Sequence, residues 1–197
     1  AQPRHAEHIA RLRAALRSEI LATRDTGFIP EGMFPRLAGE KTLYEYAQSD
    51  AYPLERIVEL ADRAADGDPS NLPALMAALD DPHPVLRYWA ATGCLILRDK
   101  AAPARARLHE RLSDDWADVR VIAAEAIAHL GEQEAALKTL EEVLQHGNLH
   151  EALAAENSLD FLREAGCVSL ARAQEMVKNL EYEEPANRIP RYLLELR

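Results

Sequence analysis

The amino-acid sequence predicts an all-α protein: an α-solenoid of stacked helix-pair repeats with an N-terminal helix and loop extension. Three observations predict it. The apolar residues, 48% of 197, are mostly Ala and Leu, with only 3 Phe, 6 Tyr and 2 Trp. Ala and Leu are strong helix formers, and the β-branched and aromatic runs that build strands are missing. Apolar positions recur at helical spacing from end to end. From Ser70 onward the pattern repeats after 33 residues, a period that suits one helix pair.

The elements follow in order. Ile9, Leu12, Leu16 and Ile20 lie on one face of a first helix over about residues 4–23. Gly27 and Pro30 are expected to break it. Residues 27–41 hold three Gly and two Pro, which reads as a loop with at most a short helical turn. Thr42 followed by Glu45 forms a capping box, in which the hydroxyl and the carboxylate each take an orphan amide. Pro53 opens the next helix where its missing N–H costs nothing. Leu54, Ile57, Val58 and Ala61 form its inner face, and Gly67-Asp68-Pro69 ends it.

Further helices are expected over 71–79, 84–97, 101–112, 118–130, 133–145 and 148–164. Gly131, Gly147 and Gly166 stand where left-handed caps are wanted, and Asn148 with Glu151 gives a second capping box. A helix near 169–179, a polar break over 181–187 and a terminal capping helix over 190–196 complete the chain. Two parts result: residues 1–65, a helical and loop segment, and residues 66–197, the repeat stack with its cap.

The period rests on named pairs. Leu75 to Leu108, Leu79 to Leu112, Arg87 to Arg120 and Ala90 to Ala123 are all offsets of 33. A third copy is weaker: Leu112 to Leu144 is 32, Ala124 to Ala155 is 31, and the Arg is lost. The motif Asp118-Val119-Arg120-x2-Ala123-Ala124, matched in part by Val85-Leu86-Arg87-x2-Ala90-Ala91, resembles the HEAT repeat family. In that frame Asp118 caps the second helix of its pair. Arg87 and Arg120 bridge to the acidic turn of a neighbouring repeat, and the small Ala residues let adjacent helices approach closely. One such pair cannot bury its apolar face alone, so copies must stack.

Charge and motif content exclude several functions. The net charge of -10 argues against a nucleic-acid partner, which needs a basic face. No stretch approaches the roughly 20 apolar residues of a membrane-inserted helix, and no signal peptide opens the chain. Cys94 and Cys167 lack CxxC neighbours and read as buried free thiols, with their redox state left open. The histidine pairs His5/His8 and His146/His150 have no third local ligand, so no metal site is expected. The acidic pairs Asp80-Asp81, Asp114-Asp115, Glu141-Glu142 and Glu183-Glu184 fall in turns or helix ends, as solvated or capping charge. Nucleophile elbows, phosphate loops, HExxH and EF-hand loops are absent. No catalytic, metal or cofactor-binding residue is assigned. Trp116, in an acidic turn, is the candidate exposed binding residue, while Trp89 is read as filling the groove between repeats.

The first part carries a second resemblance. Leu12-Arg13-Ala14-Ala15-Leu16, then Thr23-Arg24-Asp25-Thr26-Gly27-Phe28-Ile29-Pro30-Glu31-Gly32, then Tyr44-Glu45-Tyr46 and Tyr52-Pro53-Leu54-Glu55-Arg56-Ile57, resemble the C-terminal extension of bacterial sulfatases of the alkaline-phosphatase-like superfamily. The resemblance covers about residues 5–65 and implies a non-catalytic accessory domain. Such a domain would support a preceding sulfatase domain or present a protein- or glycan-facing surface, in the periplasm or outside the cell. Calcium is implied only for that parent domain. The family's nucleophile needs Cys or Ser in C-x-[PA]-x-R. Cys94-Leu95-Ile96-Leu97-Arg98 has the Arg but Ile in place of Pro or Ala, and Cys167-Val168-Ser169-Leu170-Ala171 fails outright. The first residue, Ala1, fits a fragment beginning where a catalytic domain ends. The competing expectation is an independent HEAT-type protein–protein interaction module. A third is a HEAT-like enzyme such as a phycobilin lyase or an alkylpurine DNA glycosylase, the latter at odds with the acidic charge.

Overall fold

The computed structural model describes residues 5–180 and 188–197, so the polar break expected over 181–187 lies outside the described residues. The chain begins with α1 (Ala6–Thr23), a 3-10 turn at Glu31–Met33, α2 (Phe34–Ala38), α3 (Leu43–Ala47) and α4 (Leu54–Ala65). The pairs α5 (Leu72–Ala78) with α6 (Pro84–Leu97), α7 (Arg105–Arg111) with α8 (Ala117–His129), and α9 (Gln133–His146) with α10 (Leu149–Glu164) follow. Then come α11 (Leu170–Val177) and α12 (Arg188–Glu195). No strand occurs among the described residues. The second helices stack in one row, α4 on α6 on α8 on α10, with α12 against α10; the first helices α5, α7 and α9 pack behind them. This is an all-α solenoid of HEAT-like helix pairs.

Small residues set the spacing of the row. Ala90, Ala91, Ala123 and Ala124 are all 0% exposed. Gly93 in α6 sits where a Cβ would lie 2.6 Å from Leu75 Cδ2 and 3.1 Å from Ala64 Cβ, so α4, α5 and α6 meet at that point. Buried apolar residues form one cluster from Ile29 to Leu193. Both capping boxes form: Thr42 Oγ1 accepts from the Glu45 amide, and Asn148 Oδ1 accepts from the amides of His150 and Glu151.

Local structure departs from the sequence reading at four places. The first helix ends at Thr23, as expected, but the residue that breaks it is Arg24, left-handed at φ 55, rather than Gly27. That conformation costs a non-glycine residue about 1–2 kcal/mol. Three hydrogen bonds from the same guanidinium offset it, to the carbonyls of Ala47 (2.7 Å), Ser49 (3.0 Å) and Tyr52 (3.0 Å). Gly147 is not left-handed; it is extended at φ -71, and a Cβ there would meet Val143 O at 2.7 Å. The helix expected over 101–112 starts as a 3-10 stretch, Arg98–Ala104, containing Pro103, and becomes α-helical only at Arg105. Finally, burial sets the third copy's register at 32 throughout. Ala123 corresponds to Ala155 and Ala124 to Glu156, all four 0% exposed, so the 31-residue match of Ala124 to Ala155 is replaced.

Candidate functional site

The loop after α1 does not leave the solenoid; it folds back across the row of second helices. Phe28 packs on Trp89 of α6 with ring centroids 6.1 Å apart, and Trp89 Nε1 donates to Phe28 O at 2.9 Å. Farther along, Asn148 Nδ2 donates to Gly32 O at 3.1 Å, and His150 Nδ1 lies 3.1 Å from Glu31 Oε2. Gly32 is pressed so close that a Cβ would fall 2.7 Å from both Asp118 Oδ2 and Glu151 Cγ. Met33 is fully buried. Arg36 then lays its guanidinium over the Trp116 ring, 4.1 Å from the centroid, and donates to Asp115 O at 2.7 Å. Trp116 is therefore half-buried beneath Arg36.

Between this strap and the helices runs a groove of about 290 Å³. Pro30, Glu31 and Gly32 bound one end. Tyr88 of α6, Asp118, Val121, Ile122 and Glu125 of α8, and His150, Leu153, Ala154, Asn157, Ser158 and Phe161 of α10 line the rest. Its walls are largely apolar, and Glu31, Asp118 and Glu125 give it three carboxyl groups beside His150, Asn157 and Ser158. Asp118 is 3% exposed, and its Oδ2 has no hydrogen-bond partner. Burial, and then the nearby Glu151 carboxylate, lifts its carboxyl to about 6. Glu125, 5% exposed, accepts from Ser158 Oγ at 2.7 Å; burial raises its carboxyl too. Seven residues of α-helix put Asp118 and Glu125 about 10 Å apart along α8. Elsewhere on α10, Glu156 is 0% exposed with neither oxygen partnered, and burial alone pushes it to about 8.

The arginines singled out in the sequence do different jobs. Arg87 grips the next repeat's turn with a buried fork: Nε to Asp114 Oδ2 at 2.7 Å and Nη2 to Oδ1 at 2.8 Å. Its Nη1 also donates to the carbonyls of Asp81 (2.8 Å) and Pro82 (3.1 Å) in its own turn. Arg120 reaches only its own turn, donating to Asp114 O at 2.8 Å. The position equivalent to Asp114, 32 residues on, is His146, which has no carboxylate to offer. Asp118 does not cap α8. The residue at the cap is Trp116, with no side-chain cap, and Asp118 faces the groove instead.

Cys94 is buried in mid-helix, where burial pushes its thiol up to about 12, beyond the reach of a nucleophilic role near neutral pH. Cys167 is half-buried rather than buried, its Sγ 3.5 Å from His129 Nδ1. Among the described residues no cluster of three or more His, Cys, Asp or Glu could hold a metal ion. No helix of the described chain is long and apolar enough to cross a membrane.

Sequence reasoning did not assign Tyr88, Glu125, Glu156 or Ser158 to a site, and named Gly32 only within the N-terminal segment. One signal for Glu125 was there: a lone acid in the otherwise apolar run Ala123-Ala124-Glu125-Ala126-Ile127. Glu156 was hidden by the one-residue register error.

Comparison with known proteins is consistent with this architecture. Residues 72–160, from the start of α5 into α10, match the family described as HEAT repeats, and this stretch is a HEAT-like repeat region. No curated protein and no solved structure matches the chain. The matched stretch makes this part of the chain a helical-repeat scaffold.

Proposed function

We propose that this chain is a non-catalytic helical-repeat scaffold serving as the C-terminal accessory domain of a sulfatase, with α1 as its junction to the preceding catalytic domain. The observation that carries this reading is the unpartnered apolar face of α1. Leu12 and Leu16 are 53% and 62% exposed, and α1 contributes no buried residue. By contrast α4, α6, α8, α9 and α10 all bury an apolar face. Leu16 and Ile20 of α1 continue into a groove with Phe28 and Val58 of the solenoid, so the exposed strip belongs to a larger apolar surface. Such strips mark contacts with another folded unit. The sulfatase identity of that unit rests on the resemblance of residues 5–65. The Arg24 guanidinium latches the α3–α4 turn, so this part of the resembling segment has a structural role.

Hydrogen exchange tests the junction. The longer protein, with the residues encoded upstream, is compared with residues 1–197. Amides and side-chain-shielded positions of residues 9–20 gain protection in the longer protein, while residues 28–36, already packed on the repeats, stay unchanged. Equal protection of residues 9–20 in both, or an upstream sequence without C-x-[PA]-x-R, overturns the sulfatase reading. The second reading, an independent HEAT-type interaction module, is favoured by a different observation: the acidic groove between α8 and α10 is open to solvent and separate from α1.

A further inference from the structure

The groove between α8 and α10 holds a carboxylate that the fold leaves without a donor, and we infer that it receives an arginine side chain projecting from a partner protein. The inference rests on the reading of the chain as a protein-binding scaffold and adds the chemistry of what is bound.

Asp118 is the first part of the argument. Its side chain is 97% removed from solvent by the measure that gives it 3% exposure, it lines the groove, and Oδ2 meets no hydrogen-bond donor. Buried polar groups in folded proteins are nearly all paired, so an orphaned acceptor facing a groove marks a missing donor. The donors nearby are already engaged. Arg120 donates to Asp114 O, and His150 is turned to Glu31. Glu125 lies two turns farther along the same helix wall and Glu31 stands at the rim, so three carboxylates border the groove. The wanted donor therefore carries positive charge, and the chain's net charge of -10 favours its approach.

Size and wall chemistry select the donor. The groove, at about 290 Å³, falls at or below the ~300–1,000 Å³ of typical small-molecule sites, which suits one inserted side chain. A resident metal ion is disfavoured, because no group of three ligating side chains assembles among the described residues. Val121, Ile122 and Leu153 offer an apolar path for a methylene stem. Tyr88 and Phe161 also line it, the latter 55% exposed, and bring aromatic rings to the site. A guanidinium can stack on such a ring while forking to a carboxylate; the compact, strongly hydrated ammonium of lysine does neither as well.

The test is selection from a displayed random peptide library against the immobilised chain, followed by fluorescence anisotropy of the best peptide at pH 7.5. Every enriched peptide is expected to contain arginine. Replacing that arginine by citrulline, which keeps shape and removes charge, weakens binding by at least about 10-fold. Asp118→Asn does the same, and so does Ala154→Trp, which plugs the groove and leaves the carboxylate in place; circular dichroism checks that both variants fold. Enriched peptides that lack arginine, or that tolerate citrulline, overturn the arginine inference and leave the scaffold reading standing. So does equal binding by wild type and Ala154→Trp, which would mean that net charge alone attracts the peptide. If no peptide is enriched over the blank support, the protein-binding reading falls as well.

Discussion

Replacing Glu156 by Gln isolates what it costs this fold to bury an unpaired carboxyl. The side chain is 0% exposed, neither oxygen has a partner, and burial moves its pKa from 4.5 to about 8. The folded protein therefore keeps a proton that the unfolded chain gives up above about pH 4.5. Between these two values the native state binds more protons, so stability falls as pH rises. The contribution is fully present below pH 4.5 and lost as pH climbs through 8. At about 1.4 kcal/mol per pH unit, wild type loses roughly 3–4 kcal/mol between pH 5 and pH 8 from this residue alone. Gln is neutral in both states and has no such slope. Its buried amide carries a penalty of its own, about 1–3 kcal/mol, but that penalty does not depend on pH. Urea unfolding at pH 5, 6, 7 and 8 should show the variant's midpoint gaining on wild type by about 1–2 M across the series. Asp118 and Glu125, also raised by burial, slope in the same direction in both proteins and cancel in the difference. A gap between the two proteins that stays constant with pH would refute the reasoning, because it would mean that Glu156 ionises in the native state as freely as in the unfolded chain.

Other perturbations test separate parts of the structure. Arg87→Ala leaves the buried Asp114 carboxylate with only the Trp116 amide and the more distant Arg111, and should cost about 2–4 kcal/mol in chemical denaturation; Arg87→Lys, which cannot reproduce the fork, should recover only part of it. Ala123→Leu forces three extra carbons into a fully buried contact in the α8 row and should lower stability by about 1–3 kcal/mol, read as a lower urea midpoint. Gly32→Ala places a methyl 2.7 Å from Asp118 Oδ2, so hydrogen exchange over residues 28–36 should quicken while the repeats retain their protection. The purified chain should hydrolyse no aryl sulfate with or without calcium; turnover that survives repurification and disappears in Cys94→Ser would overturn the non-enzymatic assignment.

The fold was legible because its information is periodic. Offsets of 33 between Leu75 and Leu108, or Ala90 and Ala123, place two helix pairs before any contact is known, and capping boxes at Thr42 and Asn148 fix two helix starts from two residues each. What escaped is information carried by partners distant in sequence. Gly27 looks like the helix breaker by local rules, yet Arg24 turns the chain because its acceptors lie 23 to 28 residues away. Asp118 looks like a cap by motif, yet the cap position is occupied by Trp116 and the carboxylate is turned into a groove that exists only once residues 30–32 have docked. Trp116 looks exposed in its turn until Arg36, 80 positions earlier, covers it. The acidic groove was invisible for the same reason: its lining comes from the N-terminal loop and three different helices.

The decay of the repeat and the course of the N-terminal loop are two sides of one arrangement. Between the first two repeats the tie is internal: Arg87 of α6 forks onto Asp114 in the following turn. The equivalent tie from Arg120 would need an acid at position 146, where His146 stands. That missing connection is at the α8–α10 step, and the loop docks there. Asn148 holds the carbonyl of Gly32, His150 meets Glu31, and Arg36 fastens the loop's far end to the turn before α8. Gly147 also permits the close turn into Asn148 that a side chain would block at Val143 O. The third copy is thus irregular where it accommodates a segment from outside the repeats. The same docking closes one end of the groove over Asp118, so the loop that substitutes for a lost repeat contact also covers that buried carboxylate.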